Sequence, residues 1–277
     1  ASIRTIHLYR YLSRYPDFRV EVITDSLNRE YRYGPVASPD LSRVKYLKTY
    51  RNRLVKRLMM EANPYSRLLA KTLFYPAVQG RLTRAVAESG LWESSDLLYI
   101  SMPPFRYLSR FALDIKKGYP ERKVVLEYRD EWIDGLTAYA EKNSLIHPYN
   151  LPKNIYRKGR YHLLRRSAER LEKEAITAAD ALVVVSPPMK DNLIRRIPTL
   201  EENKVCCVPN GISDIEIDEF SRLKNQKIAQ PGAGLSLIYA GLLFGPQDIR
   251  PLLRALERLR DEERVGPDKF RLRIYGN

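Results

Sequence analysis

The sequence predicts an α/β fold: a parallel sheet with helices on both faces, followed by the first β-α-β unit of a second sheet of the same kind. Three observations predict it. Short apolar runs recur at 96–101, 123–128, 181–186 and 204–208. Longer stretches between them carry apolar residues at helical spacing, as at Leu164, Ala168, Leu171 and Ala175. The runs are apolar almost throughout instead of alternating, which suits strands covered on two sides. Strand and helix in alternation imply parallel strands joined by crossovers.

The elements follow in order. Residues 2–12 carry Ile3, Ile6, Leu8, Tyr9 and Leu12 at roughly helical spacing, and Ser2 suits an N-cap. A short strand is expected over 18–24. Residues 41–60 read as a basic amphipathic helix, with Leu47, Tyr50, Leu54 and Leu58 on one side. A second, more apolar helix is expected over 65–89. The strand at 96–101 ends in Met102-Pro103-Pro104-Phe105, which cannot continue a ladder. A helix over 106–117 leads to the strand at 123–128, which ends in Arg129-Asp130-Glu131-Trp132. No period is visible over 135–160, and a long helix is expected over 160–179. A strand at 181–186, a helix at 188–196 and a strand at 204–208 lead to Pro209-Asn210-Gly211.

A boundary is expected at 222–234, where Lys224-Asn225-Gln226-Lys227 and Pro231-Gly232-Ala233-Gly234 look like linker. Beyond it come a strand at 235–240, a glycine-containing loop to Gln247, a helix over 248–262 and a strand at 270–275. The chain opens in a helical pattern and closes just after a strand-like run. The first domain is therefore expected to lack its first strand, and the second to be truncated.

Charge is the unusual feature. Lys and Arg number 48 against 33 acidic residues, a net charge of +15 in 277 residues. Such an excess favours anionic partners. It is concentrated at 43–57 and again at 153–166, where Lys153, Arg157, Lys158, Arg160, Arg165 and Arg166 interleave with Tyr156 and Tyr161. Three readings stay open: a nucleic-acid surface, a face toward lipid headgroups, and a merely solvated face. The two cysteines, Cys206 and Cys207, are adjacent. Neighbours on a strand point to opposite faces, so no disulfide is expected between them. No metal-ligand spacing occurs, and no metal is expected. No run is long and apolar enough to span a membrane, no signal peptide is visible, and the reading is cytoplasmic.

In open parallel sheets, ligands bind beyond the carboxyl ends of the strands. Those ends here carry Ser101-Met102-Pro103-Pro104, Arg129-Asp130, Asn210-Gly211 and, after the boundary, Gly241 to Gly245. Arg129 and Asp130 are the sharpest pair. Arginine offers a bidentate fork to an anion, and an aspartate can hold or deprotonate a sugar hydroxyl. A structural ion pair or a helix cap is the competing reading. No P-loop and no dinucleotide fingerprint occurs.

At these residues the chain resembles the family 4 glycosyltransferases, retaining enzymes of the two-Rossmann (GT-B) type. Four stretches carry the resemblance. Ala1-Ser2-Ile3-Arg4-Thr5, with Leu8 and Leu12, is similar to the end of the family's first loop and its first helix. Val125 to Trp132 is similar to its "strand, Arg-Asp-x-Trp" element. Leu171-Glu172 through Ala179-Asp180 to Ser186 is similar to its glutamate-bearing helix and "Val-Val-x-Ser" strand. Lys204 to Gly211 is similar to its "Val-x-Pro-Asn-Gly" strand end.

The resemblance implies an acceptor-side Rossmann-like domain at 1–221, a linker at 222–234 and the start of a nucleotide-sugar domain at 235–277. It implies transfer of a sugar from a UDP- or GDP-linked donor to an acceptor, a lipid-linked or cell-envelope glycan, with retention and without metal or other cofactor. Asp130 and Arg129 would be catalytic. Ser2, Arg4, Pro103, Phe105 and Trp132 would meet the acceptor. Asn210, Gly211, Gly241, Gln247, Arg250 and Gly276 would meet the donor. The basic stretches would hold the protein on the inner face of an anionic membrane. The competing reading is a non-catalytic, basic nucleic-acid-binding α/β protein; no specific nucleic acid is expected.

Overall fold

The computed structural model describes residues 3–25, 44–47, 84, 86, 88–90, 93–102, 105–135, 151–212, 214–224, 234–241, 249–266 and 269–275. Among them the chain divides into two compact units, 1–131 with 167–215, and 132–166 with 216–277.

The first unit is built on a four-stranded parallel sheet in simple chain order: β3 (Leu97–Ser101), β4 (Lys123–Tyr128), β5 (Ala181–Val184) and β6 (Val205–Cys207). Before it come helix α1 (Ile3–Leu12) and a separate parallel pair, β1 (Val22–Asp25) with β2 (Val44–Leu47). The strands of the larger sheet are joined by α2 (Phe105–Gly118), α3 (Leu151–Ala178) and α4 (Pro187–Arg196). A strand order that runs one way, with right-handed crossovers, puts all three helices on one face. The buried side chains agree. Val124, Leu126 and Tyr128 alternate along β4 and are fully buried, and Leu182 and Val184 join them from β5. Phe111, Ala112 and Ile115 of α2, Ala175 and Ile176 of α3, and Met189 and Leu193 of α4 close over them.

Asp180 clasps this sheet at its amino end. Its carboxylate accepts from the Val124 N–H (2.8 Å) while its own N–H donates to the Val124 carbonyl (2.9 Å). Lys116 Nζ (3.1 Å) and Lys123 Nζ (3.3 Å) donate to the same carboxylate. Partial burial pushes the Asp180 pKa up, but the Val124 N–H and the two ammonium groups outweigh it and hold the carboxyl below its usual range. The Ala-Asp step before β5 thus has a structural reason.

The second unit contains most of α5 (Asp214–Lys224) and a parallel pair, β7 (Leu235–Ala240) with β8 (Phe270–Tyr275), joined by α6 (Arg250–Asp261). Leu235, Ile238 and Ile274 are more than 40% exposed, and α6 buries no residue.

Several sequence expectations are corrected. Residues 44–47 form a strand inside the stretch read as a basic helix over 41–60; the rest of that stretch lies outside the described residues. Val44 and Tyr46 suit a strand, and parallel pairing with β1 decides the conformation over helical spacing. β1 starts at Val22, later than the expected 18–24. α3 starts at Leu151 and not at 160, with Pro152 in its first turn, where a missing N–H costs nothing. α5 continues to Lys224, into the stretch expected as linker from 222. Of the helix expected over 65–89, only 84, 86, 88 and 89 are described; the first three are helical and Ser89 is already in a turn.

Candidate functional site

All four strands of the larger sheet point the same way, so their carboxyl ends form one edge. β3 stops where Pro103 and Pro104 follow, and Met102 is completely buried there. Its backbone groups need partners in that setting. Both come from the end of β4: the Met102 N–H donates to the Glu127 carbonyl (2.9 Å), and Arg129 Nε donates to the Met102 carbonyl (2.9 Å). Arg129 is thereby fixed, half-buried, with no other hydrogen bond or ion pair among the described residues. Among the described residues its two terminal nitrogens stay open to a bidentate contact.

Asp130 is exposed beside it and makes no hydrogen bond or ion pair among the described residues. Among the described residues the structural ion pair that the sequence left open is not formed; Arg129 is anchored by the backbone. Glu131 turns back and accepts from Asn192 Nδ2 of α4 (3.0 Å), fixing the loop from its other side. Trp132 and Ile133 are buried. An exposed carboxylate between two anchored neighbours is a group held ready at a known place.

β6 ends at the same edge, two strands from β4, roughly 10 Å away at the ordinary strand spacing. The Val208 N–H donates to the Val184 carbonyl (2.8 Å), and Pro209, Asn210, Gly211 and Ile212 are exposed beyond it. Between them, Ser186 follows β5 and caps α4, accepting from the Met189 N–H (3.4 Å). The edge thus brings together Phe105, Arg129, Asp130, Asn210 and Gly211, on short loops rooted in one sheet.

A polar cluster lies under this edge. Tyr128, the last residue of β4, packs its ring on Phe105 (centroids 5.4 Å apart). Its hydroxyl is buried facing that of Ser109, and neither makes a well-formed hydrogen bond among the described residues. Burial, then the nearby Glu172 carboxylate, push the Tyr128 phenol well above its usual range, so it stays protonated. Glu172 of α3 is completely buried and accepts a charge-assisted hydrogen bond from Arg196 of α4. The sequence alone assigns this glutamate no role. The available signal was its position: Glu172 follows Ala168 by four residues, so it sits on the helix's apolar stripe.

The other expected site residues are less informative. Arg4 lies in α1. Gly241 follows β7, and its N–H donates to the Tyr275 carbonyl (2.9 Å). Arg250 opens α6, whose first turn has no side-chain cap. Ser2, Pro103, Gln247 and Gly276 lie outside the described residues. Both cysteines are free.

No protein-family model matches the chain, and no curated protein matches it. An anchored guanidinium and an exposed carboxylate, side by side, can grip a polyhydroxylated or anionic molecule and move a proton at one of its hydroxyls. No helix among the described residues is long and apolar enough to cross a membrane.

Proposed function

We propose that this chain is a glycosyltransferase that moves a sugar from a UDP- or GDP-linked donor to a hydroxyl of an acceptor held at the carboxyl edge of the four-stranded sheet. The observation that carries the reading is the Arg129–Asp130 step: a guanidinium pinned by the Met102 carbonyl, beside an exposed carboxylate. Parallel α/β sheets bind ligands at this edge, and three of the stretches that resemble family 4 glycosyltransferases, those closing at Trp132, Ser186 and Gly211, run out of the carboxyl ends of β4, β5 and β6.

In this reading residues 1–221 hold the acceptor and 235–277 begin the donor side. Arg129 fixes the acceptor through its terminal nitrogens. Asp130 accepts the proton of the attacking hydroxyl as the new C–O bond forms and the nucleoside diphosphate leaves with the electrons of the old one. Phe105 and Trp132, with Pro103, Ser2 and Arg4, shape the acceptor side. Asn210, Gly211, Gly241, Gln247, Arg250 and Gly276 serve the donor, whose diphosphate is balanced by positive charge and not by a bound metal.

Calorimetric titration with UDP-glucose and GDP-mannose as probes tests the reading. Saturable binding of either, competed by the free nucleoside diphosphate, supports it. Absence of binding by both, together with tight, salt-dependent binding of polynucleotides, would favour the nucleic-acid reading instead.

A further inference from the structure

Three aromatic side chains, Tyr11 in the last turn of α1 and two in the turns just after it, stand out in water. Tyr11 is 54% exposed, Tyr15 44% and Phe18 53%, while Tyr9, on the inward side of the same helix, is 8% exposed. Single exposed apolar residues are ordinary. These three form a ladder. The Tyr11 and Tyr15 rings meet edge-on with centroids 5.3 Å apart, and the Tyr15 and Phe18 rings with centroids 6.4 Å apart. The Tyr15 hydroxyl donates to the Tyr11 hydroxyl (2.8 Å).

The backbone beneath the ladder is held by successive turns. Ser13 N–H donates to Tyr9 O (2.9 Å), Arg14 to Tyr11 O, Tyr15 to Leu12 O and Phe18 to Tyr15 O (each 3.1 Å). The rings are therefore organised before any partner arrives, which lowers the entropic cost of docking. Every residue from 13 to 19 is exposed, so the rings lie on an open surface. Small-molecule sites are concave. An exposed group of rings with polar tips is instead the chemistry of a bilayer interface, where tyrosines sit at headgroup level and phenylalanine reaches the acyl boundary.

Charge selects the kind of bilayer. Arg10 and Arg14 flank the rings, Arg19 follows them paired with Glu21 (2.9 Å), and the whole chain carries +15. Arginines beside an inserted aromatic group meet lipid phosphates.

We propose that Tyr11, Tyr15 and Phe18 form a docking tip that inserts at headgroup level into an anionic membrane, with Arg10 and Arg14 on the phosphates. The inference does not rest on the transferase reading: a chain that binds no nucleotide sugar can still bind vesicles, and the reverse. It also differs from the expectation built on the basic stretch at 43–57, part of which is strand.

The test is sedimentation of the whole chain with vesicles of phosphatidylcholine alone and of phosphatidylcholine with phosphatidylglycerol. The parent is expected to bind the anionic vesicles. The variant Tyr11→Ser/Tyr15→Ser/Phe18→Ser is expected to bind them at least about tenfold more weakly, with Phe18→Ser alone intermediate. Thermal unfolding of each variant, unchanged because the residues are exposed, separates lost docking from lost folding. Arg14→Glu is expected to weaken binding and flatten its salt dependence. Failure of the parent to bind anionic vesicles would overturn the proposal. So would equal binding by parent and triple variant, or loss of a single-stranded oligonucleotide, and not of vesicles, in the triple variant.

Discussion

Replacing Asp180 should loosen the sheet from its amino end, and the size of the effect can be worked from its contacts. The carboxylate is 27% exposed and accepts from the buried Val124 N–H (2.8 Å), Lys116 (3.1 Å) and Lys123 (3.3 Å). Asp180→Ala leaves the Val124 N–H, in a residue that is completely buried, without its side-chain partner. A stranded buried donor costs about 1–3 kcal/mol. Lys123 is 65% exposed and adds little. Lys116 retains the Pro120 and Arg122 carbonyls (2.8 and 2.9 Å) and is not orphaned. The sum is about 1–3 kcal/mol. At roughly 2–4 °C per kcal/mol for a chain of this size, the melting temperature should fall by about 2–12 °C. Asp180→Asn keeps an acceptor for the N–H and should lose about 1 kcal/mol. The folded pKa lies below the unfolded one, so the carboxylate's contribution is complete above the unfolded value of about 4 and disappears as pH falls through the folded value. The gap between parent and Asp180→Asn should thus be flat from pH 7 to 5 and close at lower pH. Melting followed by circular dichroism across that range is the assay. An Asp180→Ala melt within 1 °C of the parent would refute the reasoning.

Three further outcomes follow from the polar groups under and at the strand-end edge. Glu172→Ala leaves Arg196 without its buried carboxylate partner and should cost about 3–5 kcal/mol by denaturant unfolding, whereas Glu172→Met with Arg196→Met should recover most of it. Tyr128→Phe removes a buried hydroxyl that makes no well-formed hydrogen bond among the described residues, and should be neutral or stabilising by about 1 kcal/mol near pH 7. Because the folded phenol pKa is raised, the parent loses stability as pH rises past the unfolded value of about 10, and Tyr128→Phe should lack that alkaline loss in a pH series of unfolding curves. Arg129→Ala frees the Met102 carbonyl and should lower both stability, by about 1–2 kcal/mol, and affinity for any acceptor, whereas Asp130→Asn should leave unfolding unchanged because Asp130 is exposed and unbonded among the described residues.

The larger sheet was legible because its strands are short apolar runs: 96–101, 123–128, 181–186 and 204–208 contain β3, β4, β5 and β6 within a residue or two. The misses have physical causes. Leu47, Tyr50, Leu54 and Leu58 share a helical stripe, but Val44 to Leu47 pair with β1, and a two-residue period four residues long is too short to outvote a stripe that spans many. The first turns of α3 carry Lys153, Arg157, Lys158 and Arg160 among few apolar residues; periodicity reports an apolar stripe, and a helix without one shows no period. At the candidate site, residue types and positions were legible and partners were not. Arg129 and Asp130 stand together in the sequence, yet one bonds Met102, 27 residues away, and the other bonds nothing described. The Glu172–Arg196 pair joins two helices 24 residues apart, which no local pattern encodes.

The most direct test of the central claim is release of UDP or GDP from UDP-glucose and GDP-mannose by the whole chain, with and without an extract of lipid-linked glycans, comparing the parent with Asp130→Asn. The account predicts acceptor-dependent release with one of the donors, reduced about 100-fold or more in Asp130→Asn at unchanged melting temperature. Release that is the same in parent and variant, or absent with every donor and acceptor offered, would contradict it.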